Sequence, residues 1–563
     1  MAALAVVVLA VLLSDGSEEG LVAFPTPTDP SVETSVDTSH PPETVTTTTT
    51  TSTTTTTTVG PVTVTIEADG SGDYPDLGSA AAAVAPGSTI ALGAGTHELA
   101  ETLALSGDLT ITGAGSTDTE VVSSLGPLLD HRDGGRLTLA GITFRYEGND
   151  PSDVVSITDA TIDLTDVAVT GAVWDDDGPS DVGDGLSIRG ATTGTIADSF
   201  AIHNGRRGFA FHGTSSVMVT NTEADGNGSY GFVWGDDTSG SATRSRANGN
   251  GAHGFGARGR AVIELIRCAA SDNTEFGFAV LAEANMTIDR GRAIGNLMSG
   301  MIAQDTAEIT ITDSASSDNG QGGFVFFDGA IASISNSESS GNGFNGFSSL
   351  GDTIVHMEAN TATGNLASGF RSSDRSSVVL IGNLSTGNAD DGFRLRGASA
   401  EVTGNTAEGN GAAGFSWGES VTGTAIDNLT TTNLDGFTVS GAARPIIRGN
   451  TAWANLRNGI SYFGDSTGRV TANTIHENGD HGIFVNDQAA PLIRSNIIYG
   501  HADGAGVAVL SSAAVEISNN EAYGNHWGIA LTVQAVEAIV GANDLHDNDT
   551  NTATGIGVGP AGE

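Results

Sequence analysis

The sequence contains no lysine: all 22 basic residues are arginine, set against 67 acidic residues, for a formal charge of −45. So acidic a surface repels nucleic acid and anionic lipid, keeps the chain soluble and attracts cations. The single cysteine, Cys268, excludes an internal disulfide framework, leaves no pair of thiolates for a metal site, and reads as a buried filler. Aromatic residues make up only 6% and no segment holds a helical hydrophobic period, which excludes a helix-rich enzyme of ordinary composition. Long apolar runs are scarce too. One stands at residues 2–13 (AALAVVVLAVLL), with the length of a signal-peptide core and too short to cross a bilayer comfortably. Residues 1–20 are therefore expected to direct export, an uncleaved membrane anchor being the alternative. Export implies a secreted or cell-surface protein, with attachment to the cell envelope through the N-terminus open to it.

Residues 21–60 carry few large apolar side chains and end in a threonine tract from Thr46 to Thr58, interrupted only by Ser52. Threonine with scattered proline cannot bury a core, so this segment reads as a disordered stalk or linker. Folded structure is expected from about Val62.

What the sequence has in abundance is glycine, 78 residues of it, and much of it is periodic. A glycine followed by a large apolar residue recurs at Gly185-Leu186, Gly208-Phe209, Gly231-Phe232 and onward to Gly392-Phe393 with every step 23 residues long. The series then continues through Gly414-Phe415 to Gly528-Ile529 with steps of 22 to 24. Four residues before most of these glycines stands an asparagine, from Asn204 and Asn227 to Asn455 and Asn478. Asparagine tolerates the left-handed conformation of a sharp turn, and stacked side-chain amides can bond one another from coil to coil. A third register, eleven residues after the glycine, is apolar: Ile196, Val219, Leu265, Ile288 and so on to Ile517 and Ile539.

Three registers of constant period describe a solenoid of short strands and turns, with coils one strand spacing apart, about 4.8 Å. Around each anchor glycine the pattern alternates, as in Phe393-Arg394-Leu395-Arg396. Ten phenylalanines following the glycines should stack in one buried column, each contributing on the order of 2 kcal/mol by burial. A leucine-rich-repeat horseshoe has repeats of similar length but demands several leucines per repeat, and most repeats here hold one or none. The fold expected is all-β: a single-stranded right-handed parallel β-helix with coils of about 23 residues. Its N-terminal cap and first irregular coils would occupy 61–184, its regular coils 185–540 and a C-terminal cap or tail 541–563.

The stretch DYPDLGSAAAAVAPGSTIALGAGTHEL at 73–99, followed by LALSGDLTITGAG at 103–115, resembles the N-terminal opening of pectate-lyase-like β-helix proteins. The resemblance implies a short capping helix at about Asp76 to Ala85, which would hide the exposed end of the first coil. The later coils resemble the repeats of carbohydrate-binding and sugar-hydrolase-type proteins and of mannuronan epimerases. That scaffold hosts lyases, hydrolases, epimerases and non-catalytic adhesins, so the resemblance implies fold more sharply than activity. The arginine-x-proline-x-x-arginine stretch of pectate lyases is not reproduced, because Arg444-Pro445-Ile446-Ile447-Arg448 has another spacing. Pro445 and Pro491 stand at equivalent places near the start of a strand, where proline is tolerated. Nor is the lysine signature of polygalacturonases present.

Several residues could carry chemistry. Arg371 and Arg394 should share an outward position on adjacent coils, with Arg396 two residues on and Arg375 nearby, a basic patch suited to the carboxylates or sulfates of a glycan. Pairing with Asp374, Asp390 and Asp391 is the competing reading. Asp391 and Asp435 precede anchor glycines two coils apart, roughly 9.6 Å, at the wide edge of what inverting glycosidases use. His481 and His253 share that position and could be general bases, although turn chemistry alone would also place Asp or His before glycine. Asp175, Asp176, Asp177, Asp181 and Asp184 crowd one loop and could hold calcium, or form a solvated acidic segment.

These features suggest an extracellular, monomeric protein whose partner is a polysaccharide, acidic in character, and not a nucleic acid. If an enzyme, it would be a polysaccharide lyase, glycoside hydrolase or epimerase. The alternative is a non-catalytic adhesin or structural stalk.

Overall fold

The computed structural model describes residues 60–175 and 181–556. The export segment, the threonine-rich linker up to Val59, the acidic-loop residues 176–180 and the extreme C-terminus at 557–563 lie outside the described residues. Among those described there are 59 strands and a single helix, Leu77–Ala83. Asp76 caps the helix through a 2.7 Å bond from the Ser79 N–H, and its buried Leu77 and Ala80 close the end of the core.

Each regular coil contributes three strands to three parallel ladders. In the coil beginning at Phe232 these are Phe232–Trp234, Ser239–Thr243 and Arg246–Asn248. Each pairs with its counterpart one coil on, as in Phe232↔Phe255, Ser239↔Val262 and Arg246↔Ala269. The first ladder begins at Leu103–Leu105, passes through Leu129–His131 and Val155–Thr158 to Leu186–Arg189, and runs to Thr550–Ile556. The ladders thus continue beyond residue 540, and Asp544–His546 is still paired to Glu521–Tyr523.

The phenylalanines after the anchor glycines are fully buried and stacked face to face. Phe209, Phe232, Phe255 and Phe278 form one run with ring centroids 4.9 to 5.2 Å apart. Met301 interrupts it, and Phe324 through Phe437 form a second run at 4.6 to 4.9 Å. These separations equal the strand spacing, so ring stacking and backbone pairing reinforce one another. The third register is buried from Ile196 to Ile517, but Ile539 is 57% exposed. It pairs with Glu516 while Val540 pairs with Ile517, so the last coil has slipped by one residue and Ile539 faces out.

The asparagine ladder is an unbroken chain of hydrogen bonds. Asn342 donates from Nδ2 to Asn365 Oδ1 at 2.9 Å and from its backbone N to the same oxygen at 3.1 Å, and Nδ2 also reaches the Ser316 carbonyl. The turn differs in one respect from the sequence expectation. These asparagines do not take positive φ; the residue just before each one does, as with His203, Gly226, Gly249 and Asp272. Directing the amide into the core places the left-handed residue one step earlier. The anchor glycine is required by close approach rather than by φ: a Cβ on Gly346 would lie 2.7 Å from the Gly369 carbonyl and 2.9 Å from Asn365 Nδ2.

A second amide ladder runs from Asn360 through Asn383, Asn405 and Asn428 to Asn543. In earlier coils its place is taken by short side chains such as Ser337, Ser314 and Ser245, and by the buried Cys268. In the first ladder His501 replaces asparagine, meeting Asn478 Nδ2 at 3.2 Å with Nε2 and Asn525 Oδ1 at 2.8 Å with Nδ1. Only the neutral ring with its proton on Nδ1 can both donate and accept there, and burial lowers its pKa to about 4.

Replacing Asn365 by Ala would strip the acceptor from two buried donors on Asn342. At about 1–3 kcal/mol for each unsatisfied buried group, a loss of about 3 kcal/mol is expected in urea unfolding, with faster exchange of the Asn342 amide. Unaltered protection at Asn342 would show that the ladder is not supporting the coil.

Candidate functional site

Two columns of side chains flank the outward face of the first ladder and delimit a strip, the trough. Its floor is the central residue of each strand, which points away from the core yet is buried, as with Ser187, Ala210, Val233 and Ile302. One rim is the column of residues preceding the anchor glycines; the other lies two residues beyond the floor. The floor changes along the axis. Between Ala279 and Leu350 it forms an apolar cluster separate from the core, with Phe276, Leu281 and Phe327 packed on it. Near the C-terminal end Phe484, Ala505, Ala508 and Ala530 form another, joined by Phe463 and Trp527.

The first rim explains the candidate catalytic residues. Asp391, Asp435 and His481 stand in one column, Asp391 and Asp435 separated by Ala413, and Asp435 and His481 by Asn458. Each accepts the backbone N–H of the next coil: Asp391 from Ala413 at 3.0 Å, Asp435 from Asn458 at 3.1 Å, and His481, through Nδ1, from Ala505 at 3.0 Å. Asn345 and Asn458 do the same toward Ser368 and His481. These side chains therefore bond the turn of the next coil; Asp391 and Asp435 stand two coils apart as expected from the period, and His481 a further two coils on. Burial, followed by the neighbouring Asp390 charge, raises the Asp391 carboxyl to about 6, and burial lowers His481 to about 4.

Arg371 and Arg394 are direct neighbours on adjacent strands. Arg394 is bonded to Asp390 at 2.9 Å, Arg396 donates to the Ser416 carbonyl and hydroxyl, and the Arg371 guanidinium lies 6.0 Å from the Phe344 ring centre. Arg375 pairs with Asp352. The patch exists, with Asp390 the acid that partly offsets it.

Of the five acidic-loop aspartates, three lie among the described residues. Asp175 and Asp181 are exposed, Asp184 is fully buried, and Asp176 and Asp177 lie outside the described residues. Among the described residues no three His, Cys, Asp or Glu side chains converge as a metal ion requires. Asp184 instead occupies the first rim, where its backbone N–H donates to Asp153 Oδ1 at 2.8 Å.

That contact opens a cluster of ionisable groups in the N-terminal part of the trough. Along the rim follow Asp153, Asp184, Arg207, Tyr230 and His253; across the floor stand Arg189 and His212. Arg207 Nη1 lies 3.8 Å from Asp184 Oδ2 and 3.0 Å from His212 Nε2, and Arg189 Nη2 lies 3.8 Å from Asp153 Oδ2. Tyr230 meets His253 edge to face and lies over the floor at Gly256, where a Cβ would stand 2.5 Å from the ring. Neither carboxylate oxygen of Asp184 accepts a hydrogen bond among the described residues.

The family follows from the same coils. Residues 207–362 and 398–549 match the family described as "Right handed beta helix region". The chain belongs to that family. This right-handed β-helix protein is similar to the periplasmic alginate epimerase AlgG, at 12% identity over 67% of this chain and 73% of that one, with a TM-score of 0.30. It is similar also to the Azotobacter vinelandii mannuronan C-5 epimerase AlgE6 A-module, at 16% identity over 69% and 92% with a TM-score of 0.26. A third likeness is to the N-terminal fragment of bacteriophage Phi29 gene product 12, at 11% identity over 83% and 88% with a TM-score of 0.35. No curated protein matches the sequence. Among the described residues no helix is long and apolar enough to cross a membrane.

In this β-helix protein the environments of the cluster push its groups apart. Burial, and then the Asp184 charge, raise the Asp153 carboxyl to about 7, while burial lowers His212 and brings Arg207 down to about 10. Asp153 and His212 thus stand on opposite rims, the carboxyl raised and the imidazole lowered from their ordinary values. Asp153, Arg207, His212 and Tyr230 were missed from the sequence. Asp184, Arg207, Tyr230 and His253 could have been found by reading down the pre-glycine column, but Asp153 precedes Asp184 by 31 residues and falls outside the 23-residue period.

The Asp391 carboxyl offers a pH test. Its folded pKa of about 6 lies above the unfolded value of 3.8, so its contribution to stability is complete below pH 3.8 and is lost as pH rises through 6. Asp391→Asn keeps an acceptor for Ala413 N–H and removes the ionisation. The variant is expected to gain melting temperature relative to wild type as pH goes from 4 to 7; a constant difference across that range would place Asp391 in a wetter setting than described.

Proposed function

We propose that this protein is an exported, monomeric β-helix that binds an acidic polysaccharide along the trough of its first ladder and acts on it at the Asp153–Asp184 end. The observation that carries the reading is the cluster itself. In a rim whose other carboxylates are engaged with backbone N–H groups of the next coil, Asp184 is buried without a hydrogen-bond donor, beside Asp153 raised to about 7 and 3.8 Å from Arg207, which in turn meets His212 at 3.0 Å. Arg189 and His212, the partly exposed members of the cluster, are the groups a chain laid along the trough would meet first. Arg371, Arg394 and Arg396 further along would engage the carboxylates or sulfates of the same polymer. The apolar run at the 276–350 coils would receive the less polar faces of the sugar rings. With Asp153 as proton donor and His212 as acceptor, the chemistry is that of a glycoside hydrolase, lyase or epimerase.

A second reading, a non-catalytic adhesin or stalk, is favoured by the structural bonds of Asp391, Asp435 and His481. The two readings separate on turnover. Assayed against polygalacturonate, alginate and hyaluronan, with and without calcium, the wild-type protein is expected to release reducing ends or unsaturated products, or to change the epimer ratio, on one of them. Asp153→Asn is expected to lower kcat by about 10²–10⁴-fold, the range for losing a general acid, while binding is retained. Binding with no turnover of any polymer would favour the adhesin.

A further inference from the structure

Outside the trough, the corner between the second and third strands of each coil holds a second charged surface. The corner residue is left-handed throughout. In other coils it is most often Asp, Asn or Gly, as at Asp198, Asn221, Asp313, Asn336 and Gly382, with alanine at Ala359 and Ala472 and serine at Ser495. In three consecutive coils it is arginine: Arg244 at φ 52°, Arg267 at 55° and Arg290 at 53°. The strands before the corner pair as Thr243↔Ile266↔Asp289, so the three arginines stand directly above one another, about 4.8 Å apart. Arg246 and Arg292 follow them two residues on, and all five side chains are exposed.

This arrangement is unfavourable locally on two counts. A residue with a Cβ in the left-handed region carries about 1–2 kcal/mol of strain, and three like charges in one column repel. Relief from carboxylates is partial, and the Asp289 charge acts on Arg267 as well as on Arg290. Arg290 bonds to Asp289 on its own coil and Arg246 to Glu223 on the preceding one. The side chains of Arg244, Arg267 and Arg292 make no hydrogen bond or ion pair among the described residues. Alanine and serine carry the same backbone strain in other coils, so what sets these three coils apart is the stacking of like charge on a chain of formal charge −45, which an external anion would compensate.

We infer that the Arg244–Arg267–Arg290 corner, flanked by Arg246 and Arg292, is a second binding site for a linear anionic glycan, engaging successive carboxylate or sulfate groups. The glycan class is taken from the trough reading; the site itself is not. Guanidinium forks suit both groups. A linear polymer with regularly placed charges matches a ladder of cations on a fixed repeat. A nucleic acid is disfavoured by the protein's overall charge and because the corner column offers no aromatic ring on which bases could stack. The corner would hold the polymer on a face distinct from the trough.

The test is a triple variant, Arg244→Asn, Arg267→Asn and Arg290→Asn, in the full chain. Asparagine stands at this corner in Asn221 and Asn336, so the variant is expected to fold with an unchanged or higher melting temperature. Wild type is expected to be retained on immobilised heparin and polygalacturonate at low salt. The triple variant should bind at least about tenfold more weakly and with a shallower salt dependence. Arg260→Asn, at an exposed arginine paired with Asp237 away from both the corner and the trough, should bind both polymers as wild type does. The inference is overturned if wild type is not retained, if the triple variant is retained equally at wild-type stability, or if a single-stranded oligothymidylate binds wild type more tightly than either glycan. Absence of turnover together with corner-dependent retention would remove the trough reading and leave the corner site standing.

Discussion

The backbone of every coil sits one strand spacing from the next, so each side chain has its own counterpart as its nearest axial neighbour. A column is stable only if its members tolerate one another at about 4.8 Å. Phenylalanine meets this condition by stacking. Asparagine meets it because the amide carries donors and an acceptor, so identical residues complete each other without limit. Ionised aspartate cannot, having acceptors alone, and it is found at outer corners and on the rim, where backbone N–H groups supply the donors. His501 can replace asparagine within the ladder because a neutral imidazole also donates from one nitrogen and accepts at the other.

The same rule makes like-charged columns on the surface informative. Arg371 beside Arg394 is relieved by Asp390, whereas the Asp153–Asp184 pair is relieved by raising a pKa. The rise at Asp153 reflects desolvation together with a neighbouring carboxylate held in place by backbone pairing. In an ordinary fold such a pair could move apart. Here the ladder fixes the separation, and the repulsion is met by a raised pKa together with Arg189 and Arg207, each 3.8 Å from one of the carboxylates.

What was legible in the sequence was what repeats. The anchor glycine, the apolar residue after it and the first asparagine ladder all lie at constant offsets and translate directly into columns. The second amide ladder was hidden because asparagine holds it only from Asn360 onward, with serine, threonine and Cys268 filling the earlier places. The slip at Ile539 was invisible because its residue type fitted a register that the last coil no longer keeps. The ionisable cluster was obscured for a related reason: the 31-residue step from Asp153 to Asp184 breaks the period, and an aspartate on an acidic loop looks like solvated surface until its column is drawn. Left-handed arginines were equally hidden, since φ at a corner is set by turn geometry rather than by the residue that occupies it.

The period also separates structural from chemical residues. Asp391, Asp435 and His481 had the residue types of a catalytic set, and each is explained by the N–H group of the following coil. A side chain whose hydrogen bonds are completed by its own column carries no evidence of further chemistry, whatever its type. Asp184 differs. Its column supplies no donor to its carboxylate, the nearest cation is Arg207 at 3.8 Å, and its burial is complete. Buried polar atoms of Trp234, Trp417 and Tyr462 also lack a hydrogen-bond partner among the described residues, but Asp184 is the carboxylate in that set, and leaving it so is unfavourable by about 1–3 kcal/mol or more for a charged group. The coils around it are also those in which the 23-residue period is interrupted. Where regularity and hydrogen-bond satisfaction fail together, a role beyond holding the coil is the simplest reason for the exception to persist.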